Sequence, residues 1–141
     1  MERKEFRILL IEDDEVDILN VKRAFRKNQL PHTLWVARDG VQAIEMLTGT
    51  GGMEKIPKPE FILLDINMPR MNGLEFLREL RKMEGYSDCM VFVMTTSNED
   101  SDKVNAYNQN VAGYIVKPLS FDAFQKAIGT LGDYWQLTEL P

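Results

Sequence analysis

Cysteine and histidine are each present once in this 141-residue chain, as Cys89 and His32. A single cysteine closes no intrachain disulfide, so a reducing compartment is the simpler setting and the thiol reads as inert. Long apolar runs are missing too: none approaches the ~20 residues that a membrane span requires. Positive charge is short, with 17 Lys and Arg against 22 Asp and Glu for a net charge of −5. That balance argues against nucleic acid as a direct partner, since phosphate backbones are met by a basic excess. No basic block or basic amphipathic helix points to a membrane surface. The start, Met-Glu-Arg-Lys-Glu, runs into a short apolar segment closed by acids and is no signal peptide. What remains is a 44% hydrophobic chain, long enough to bury roughly 70% of its unfolded surface. We expect a single cytoplasmic domain over residues 1–141, with its core at 7–131 and a tail at 132–141.

Strand and helix signals alternate along that core. Ile8-Leu9-Leu10-Ile11 and Phe61-Ile62-Leu63-Leu64 are short β-favouring runs without polar alternation, as in strands buried on both faces of a parallel sheet. Further strands are expected at 33–37, 90–94 and 113–116. Between them fall helical patterns: 16–27 on Ile18, Val21 and Phe25; one after Asp39-Gly40 on Val41, Ile44 and Leu47; and 74–83 on Leu74, Leu77 and Leu80. A weakly patterned helix is expected at 100–108. A last one begins after Ser120, an N-cap residue, with Phe124, Ile128 and Leu131 inward. Residues 48–59, with three glycines and two prolines, form the longest loop. Five strands alternating with five helices predict an α/β fold, a doubly wound five-stranded parallel sheet with right-handed crossovers.

Parallel strands place Glu12 and Asp13, Asp65, Thr95 and Lys117 at the carboxyl ends of strands one, three, four and five, the edge where open α/β sheets bind ligands. Three acids crowded there repel one another unless a cation sits among them. With Thr95 and Lys117 arriving at the same edge, the chemistry indicated is phosphoryl transfer, Asp65 attacking phosphorus to become an acyl phosphate. Mg²⁺ held by Asp13 and Asp65, with Glu12 mostly through water, together with the Lys117 ammonium and the Thr95 hydroxyl, would neutralise the phosphoryl oxygens.

These residues carry a resemblance. Ile-Leu-Leu-Ile-Glu-Asp-Asp-Glu, Leu-Leu-Asp-Ile-Asn-Met-Pro-Arg-Met-Asn-Gly, Val-Met-Thr-Thr and Gly-Tyr-Ile-Val-Lys-Pro together resemble the receiver domain of two-component response regulators, the family of the single-domain chemotaxis regulator. The likeness covers residues 7–131 and implies a flavodoxin-like (βα)5 fold of strand order 2-1-3-4-5. It implies Asp65 as phosphoacceptor and Glu12, Asp13 and the Asn67 backbone carbonyl around Mg²⁺ or Mn²⁺. It further implies Thr95 and Thr96 as phosphoryl-binding and switch residues, Lys117 as the phosphate-side lysine, Tyr114 as the rotameric aromatic and a cis Lys117–Pro118 peptide. By the same resemblance the donor is a histidine kinase and the output runs through a downstream protein target or phosphotransfer protein. The protein is then a switch and not an enzyme, catalysing only its own phosphorylation and dephosphorylation. The long 48–59 loop and an apolar tail point toward the regulators that pair with phytochrome kinases. Tyr134, Trp135, Leu137 and Leu140 in that tail are expected to form a homodimer contact.

Rival readings use the same residues. An aspartyl-phosphate phosphohydrolase would want Asp-x-Asp, but the position two beyond Asp65 is Asn67. An FMN binder would want a Gly/Ser/Thr loop after strand one, where this chain has acids. A non-phosphorylated binding scaffold is disfavoured because every matching position is filled. Taken singly, Asp14 is a helix cap, His32 is structural, Met68, Met71 and Met94 are gap-fillers, and Trp35 packs on the sheet.

Overall fold

The protein is described by a computed structural model over residues 5–29, 31–66, 68, 70–95, 111–116 and 121–137. Its elements run β1 (Phe6–Ile11), α1 (Glu15–Lys27), β2 (His32–Ala37), α2 (Gly40–Thr48), β3 (Phe61–Asp65), α3 (Gly73–Lys82), β4 (Met90–Thr95), β5 (Gly113–Val116) and α4 (Phe121–Leu137). The five strands form one sheet in the order β2-β1-β3-β4-β5, with every pairing parallel. This is the expected doubly wound architecture. No helix among the described residues is long and apolar enough to cross a membrane.

The unbroken apolar runs are explained by two cores, one on each face. Side chains alternate along a strand, so Leu9, Ile11, Ile62 and Leu64 meet Ala43, Met46, Phe76, Leu77 and Leu80 of α2 and α3. Phe6, Ile8, Leu10, Phe61 and Leu63 meet Ile18, Val21 and Phe25 of α1 and Ile128 of α4. Burying one such side chain fully stabilises the fold by roughly 1.5–3 kcal/mol. From Ile8 to Ile11 and from Phe61 to Leu64 every side chain is buried, Arg7 being the one exposed position of β1, so the next polar side chains along both strands appear at their carboxyl ends.

Local chemistry starts the helices where the sheet edge needs them. Asp14 caps α1, accepting from the Val16 and Asp17 amides at 2.8 and 3.1 Å, as its position beside Glu15 and Asp17 favours. Asn72 and Glu75 form a reciprocal capping box at the start of α3, with bonds of 3.0 and 3.4 Å. The long loop is tethered by Ile56, which is buried and whose amide donates to the Met46 carbonyl at 2.9 Å.

Three expectations need correction. The last helix does not stop near Leu131 but continues to Leu137, so residues 132–137 are helical. It runs through Gly129 and Gly132 despite their poor helix propensity. A Cβ at Gly129 would lie 2.8 Å from Asn28 Oδ1, and Asn28 Nδ2 donates to the Gln125 carbonyl at 3.0 Å. In α2 the buried residues are Gly40, Ala43, Met46 and Leu47, while Ile44 is half-buried against the same core and Val41 is half-buried. β2 begins at His32, one residue before the expected 33, and the His32 ring packs on Phe25 at 5.2 Å, in keeping with its structural reading. The helix expected at 100–108 lies outside the described residues. So do the side chains of Tyr134, Trp135 and Leu137, and all of Leu140.

Candidate functional site

β1 and β3 pair in register from Ile8↔Phe61 to Ile11↔Leu64, so the next residues in line are Glu12 and Asp65. One carboxylate oxygen from each of Glu12, Asp13 and Asp65 comes together, all within 4.8 Å of one another. Glu12 is fully buried, Asp65 is 6% exposed, and Asp13 faces solvent. Glu12 is oriented from behind: its Oε1 accepts from the Asp14 amide at 3.1 Å, and its own amide donates to the Ala37 carbonyl at 2.9 Å. With both ionised at that spacing, the buried Glu12 and Asp65 carboxylates repel by about 3.5 kcal/mol at an effective dielectric near 20. An all-oxygen, all-carboxylate set with one member open to solvent fits a small hard divalent cation such as Mg²⁺ or Mn²⁺. It suits neither a soft metal nor an anion.

Thr95 is the last residue of β4 and is fully buried. Its neighbour Met94 pairs with Asp65 and Thr95 itself pairs with Val116, so the hydroxyl stands at the same sheet edge as the acids. The edge therefore carries two buried acids, one exposed acid and a buried hydroxyl from three adjacent strands.

Residues 8–129 match the family described as response regulator receiver domain. The chain belongs to that family. The receiver is similar to the probable methanogenesis regulatory protein FilR2 of Methanothrix harundinacea, 33% identical over 92% of this chain and 83% of FilR2. It is also similar to the response regulator Rcp1 of Synechocystis, 31% identical over 91% of this chain and 87% of Rcp1. Among solved structures, the phosphorylated cyanobacterial phytochrome response regulator RcpA superposes with a TM-score of 0.85 at 28% identity, covering 98% of this chain and 99% of RcpA. The Mn²⁺-bound form of Rcp1 superposes with a TM-score of 0.82 at 31% identity, covering 96% and 99%. The chain is thus a receiver-domain response regulator of two-component signalling.

Within the receiver, Tyr114 sits on β5, half-buried against the core beneath α2 and α3. Asn67, Thr96, Lys117 and Pro118 lie outside the described residues, and with them the cis peptide.

Sequence reasoning passed over the side chains that hold the loop after Asp65. The Ile66 amide donates to the Met94 carbonyl at 3.1 Å, extending the ladder beyond β3, and the Gly73 amide returns to the Ile66 carbonyl at 3.0 Å. Gly73 is required by this closure, since a Cβ there would lie 2.7 Å from Ile66 Cα and 2.9 Å from the Asp65 carbonyl oxygen. Between them Arg70, in a left-handed backbone of φ 59°, reaches across to Asp39, the N-cap of α2. Its Nε donates to Asp39 Oδ2 at 2.7 Å and its Nη2 to Oδ1 at 3.2 Å. The Gly40 amide adds a bond to the Met71 carbonyl at 3.1 Å. Burial pushes the Asp39 carboxyl up, but hydrogen bonds from Arg70 and the Gln42 and Val41 amides, with the Arg70 charge, outweigh it and hold the group below the usual carboxylate range. The Asp39-Gly40 turn was legible as a helix start. Nothing in local spacing links it to a residue 31 positions on.

Proposed function

We propose that the protein is a phosphorylation-dependent switch with Asp65 as its acceptor. The observation that carries this reading is the meeting of Glu12, Asp13 and Asp65 within 4.8 Å at the ends of β1 and β3. In the reaction, an Asp65 carboxylate oxygen forms a bond to phosphorus as the nitrogen–phosphorus bond of a kinase phosphohistidine breaks, and the departing imidazole nitrogen takes up a proton. Asp13 and Asp65 would hold Mg²⁺ or Mn²⁺, with Glu12 contributing through water and Asn67 through its carbonyl. When bound, the cation supplies two positive charges against the phosphoryl oxygens. Burial keeps Asp65 oriented and limits water to the open side, where Asp13 faces solvent. Thr95, Thr96 and Lys117 then bind the phosphoryl group and Tyr114 turns inward, shifting a pre-existing equilibrium. Water later cleaves the acyl phosphate at phosphorus, returning the carboxylate.

The likeness to Rcp1 and RcpA supports a histidine kinase of the phytochrome type as donor. The downstream partner is a protein target or phosphotransfer protein, reached in the cytoplasm. Val16 and Leu19, exposed large apolar residues on α1 just past the acidic loop, are suited to meeting the kinase. A homodimer through α4 and the tail completes the reading, in one receiver domain with no enzymatic activity beyond its own phosphorylation and dephosphorylation.

The test is incubation with Mg²⁺ and acetyl phosphate, followed by intact-mass measurement. A base-labile gain of one phosphoryl group is expected, and its absence in Asp65→Asn. Persistence of the adduct in that variant would sink the acceptor assignment, and steady turnover of general phosphate esters would favour the hydrolase.

A further inference from the structure

The β2–α2 turn supplies no carboxylate to the acid cluster, yet it is tied to both segments that do. Arg38 forms an ion pair with Glu15 at the start of α1, beside Glu12 and Asp13. Its neighbour Asp39 takes the fork of Arg70, five residues past Asp65. Strand order puts β1 between β2 and β3, so the Asp39–Arg70 bridge joins the loops on either side of the strand that delivers Glu12. The two ties are unequal. Both partners of the Arg38–Glu15 pair are well exposed, at 49% and 67%, and such pairs contribute little. The Asp39 side chain is only 9% exposed, is engaged on both oxygens, and also accepts from the Gln42 amide at 2.8 Å. Arg70 holds a left-handed backbone that an L-residue adopts only when its surroundings impose it. The Gly40–Met71 bond pins the next residue to the same turn.

We infer that Asp39 and Arg70 are a positioning pair for the cation site: the bridge holds the loop after Asp65 against the β2–α2 turn and so sets the spacing of the acids. This rests on the reading of the acid cluster as a divalent-cation site. Residues that orient ligands without touching the metal alter its affinity while leaving the ligand set intact, and this pair has that placement.

The test is calorimetric titration of the purified protein with Mn²⁺, with thermal melts of the same samples in EDTA. Arg70→Gly is the informative variant, because glycine accepts the left-handed backbone freely while losing the bridge. Its Mn²⁺ affinity is expected to fall about tenfold with only a small drop of the melt in EDTA, because relief of the left-handed backbone offsets part of the lost bridge, a pattern that general destabilisation does not produce. Asp39→Asn, which keeps an N-cap for α2, is expected to show the same loss. Arg70→Lys, keeping the charge without the fork, is expected to recover part of it. Parental Mn²⁺ affinity in both Arg70→Gly and Asp39→Asn would overturn the bridge alone. Absence of Mn²⁺ binding in the unaltered protein, matching Asp65→Asn, would instead overturn the cation reading beneath it.

Discussion

Gly73→Ala is the sharpest test of how closely the acceptor is held. The added methyl would sit 2.7 Å from Ile66 Cα, 2.9 Å from the Asp65 carbonyl oxygen and 3.0 Å from Ile66 Cδ1. Ordinary contact begins near 3.4 Å, so the backbone after Asp65 must retreat by about 0.7 Å, since two of the three obstructing atoms are backbone and cannot rotate away. Overpacking of this kind costs about 1–3 kcal/mol. For a chain of this length that is a fall in Tm of about 3–10 °C. The displacement falls on the acceptor's own peptide, and misplacing a reacting group by ~1 Å costs on the order of 100-fold in rate. The assay is the initial rate of acetyl phosphate-dependent mass gain, with Tm measured in parallel. Gly113→Ala is the control: its methyl would meet only the Phe92 ring at 3.2 Å, a side chain able to shift. Slower phosphorylation and a lower Tm are expected in Gly73→Ala, with little of either in Gly113→Ala. A Gly73→Ala protein that melts and phosphorylates like the parent would refute the reasoning.

Glu12→Gln removes one of three repelling charges while its side-chain oxygen can still accept from the Asp14 amide. Tm in EDTA is therefore expected to rise by a few degrees and the Mg²⁺-induced shift to shrink, as differential scanning fluorimetry would show. Cys89 is 5% exposed and burial pushes its thiol up to about 11. A thiol-reactive dye at pH 8 should label it only as the protein unfolds, and stoichiometric labelling within seconds would contradict its burial. Asp39 is held below the usual carboxylate range by Arg70 and the α2 amides despite its burial. Its contribution is thus full above the ordinary carboxylate pKa of about 4 and is lost as pH falls through the depressed value. The stability gap between parent and Arg70→Ala in urea melts should accordingly narrow below pH ~4; a gap that widens there would reverse the sign.

Much of this protein was legible residue by residue. The runs at 8–11 and 61–64 lacked polar alternation, and burial on both faces follows from that alone, as does the parallel sheet that such burial requires. Acids directly after those runs had to emerge at one edge once the strands were parallel, and the register of Ile11 with Leu64 confirms the meeting of Glu12 with Asp65. The Asp14 cap was equally readable, because capping is decided within three residues.

What the chain order concealed depends on crossovers. Asp39 and Arg70 are neighbours only because β1 lies between β2 and β3 and α2 packs beside α3. The space denied to a Cβ at Gly73 exists only because α3 folds back onto the end of β3. The small residue at position 129 of α4 likewise answers to the seat of that helix on α1, where the Asn28 side chain lies 2.8 Å from where a Cβ would stand. Period and capping are short-range properties, written in consecutive residues. Close approach between distant segments is a property of packing, and only the assembled sheet and helices determine it.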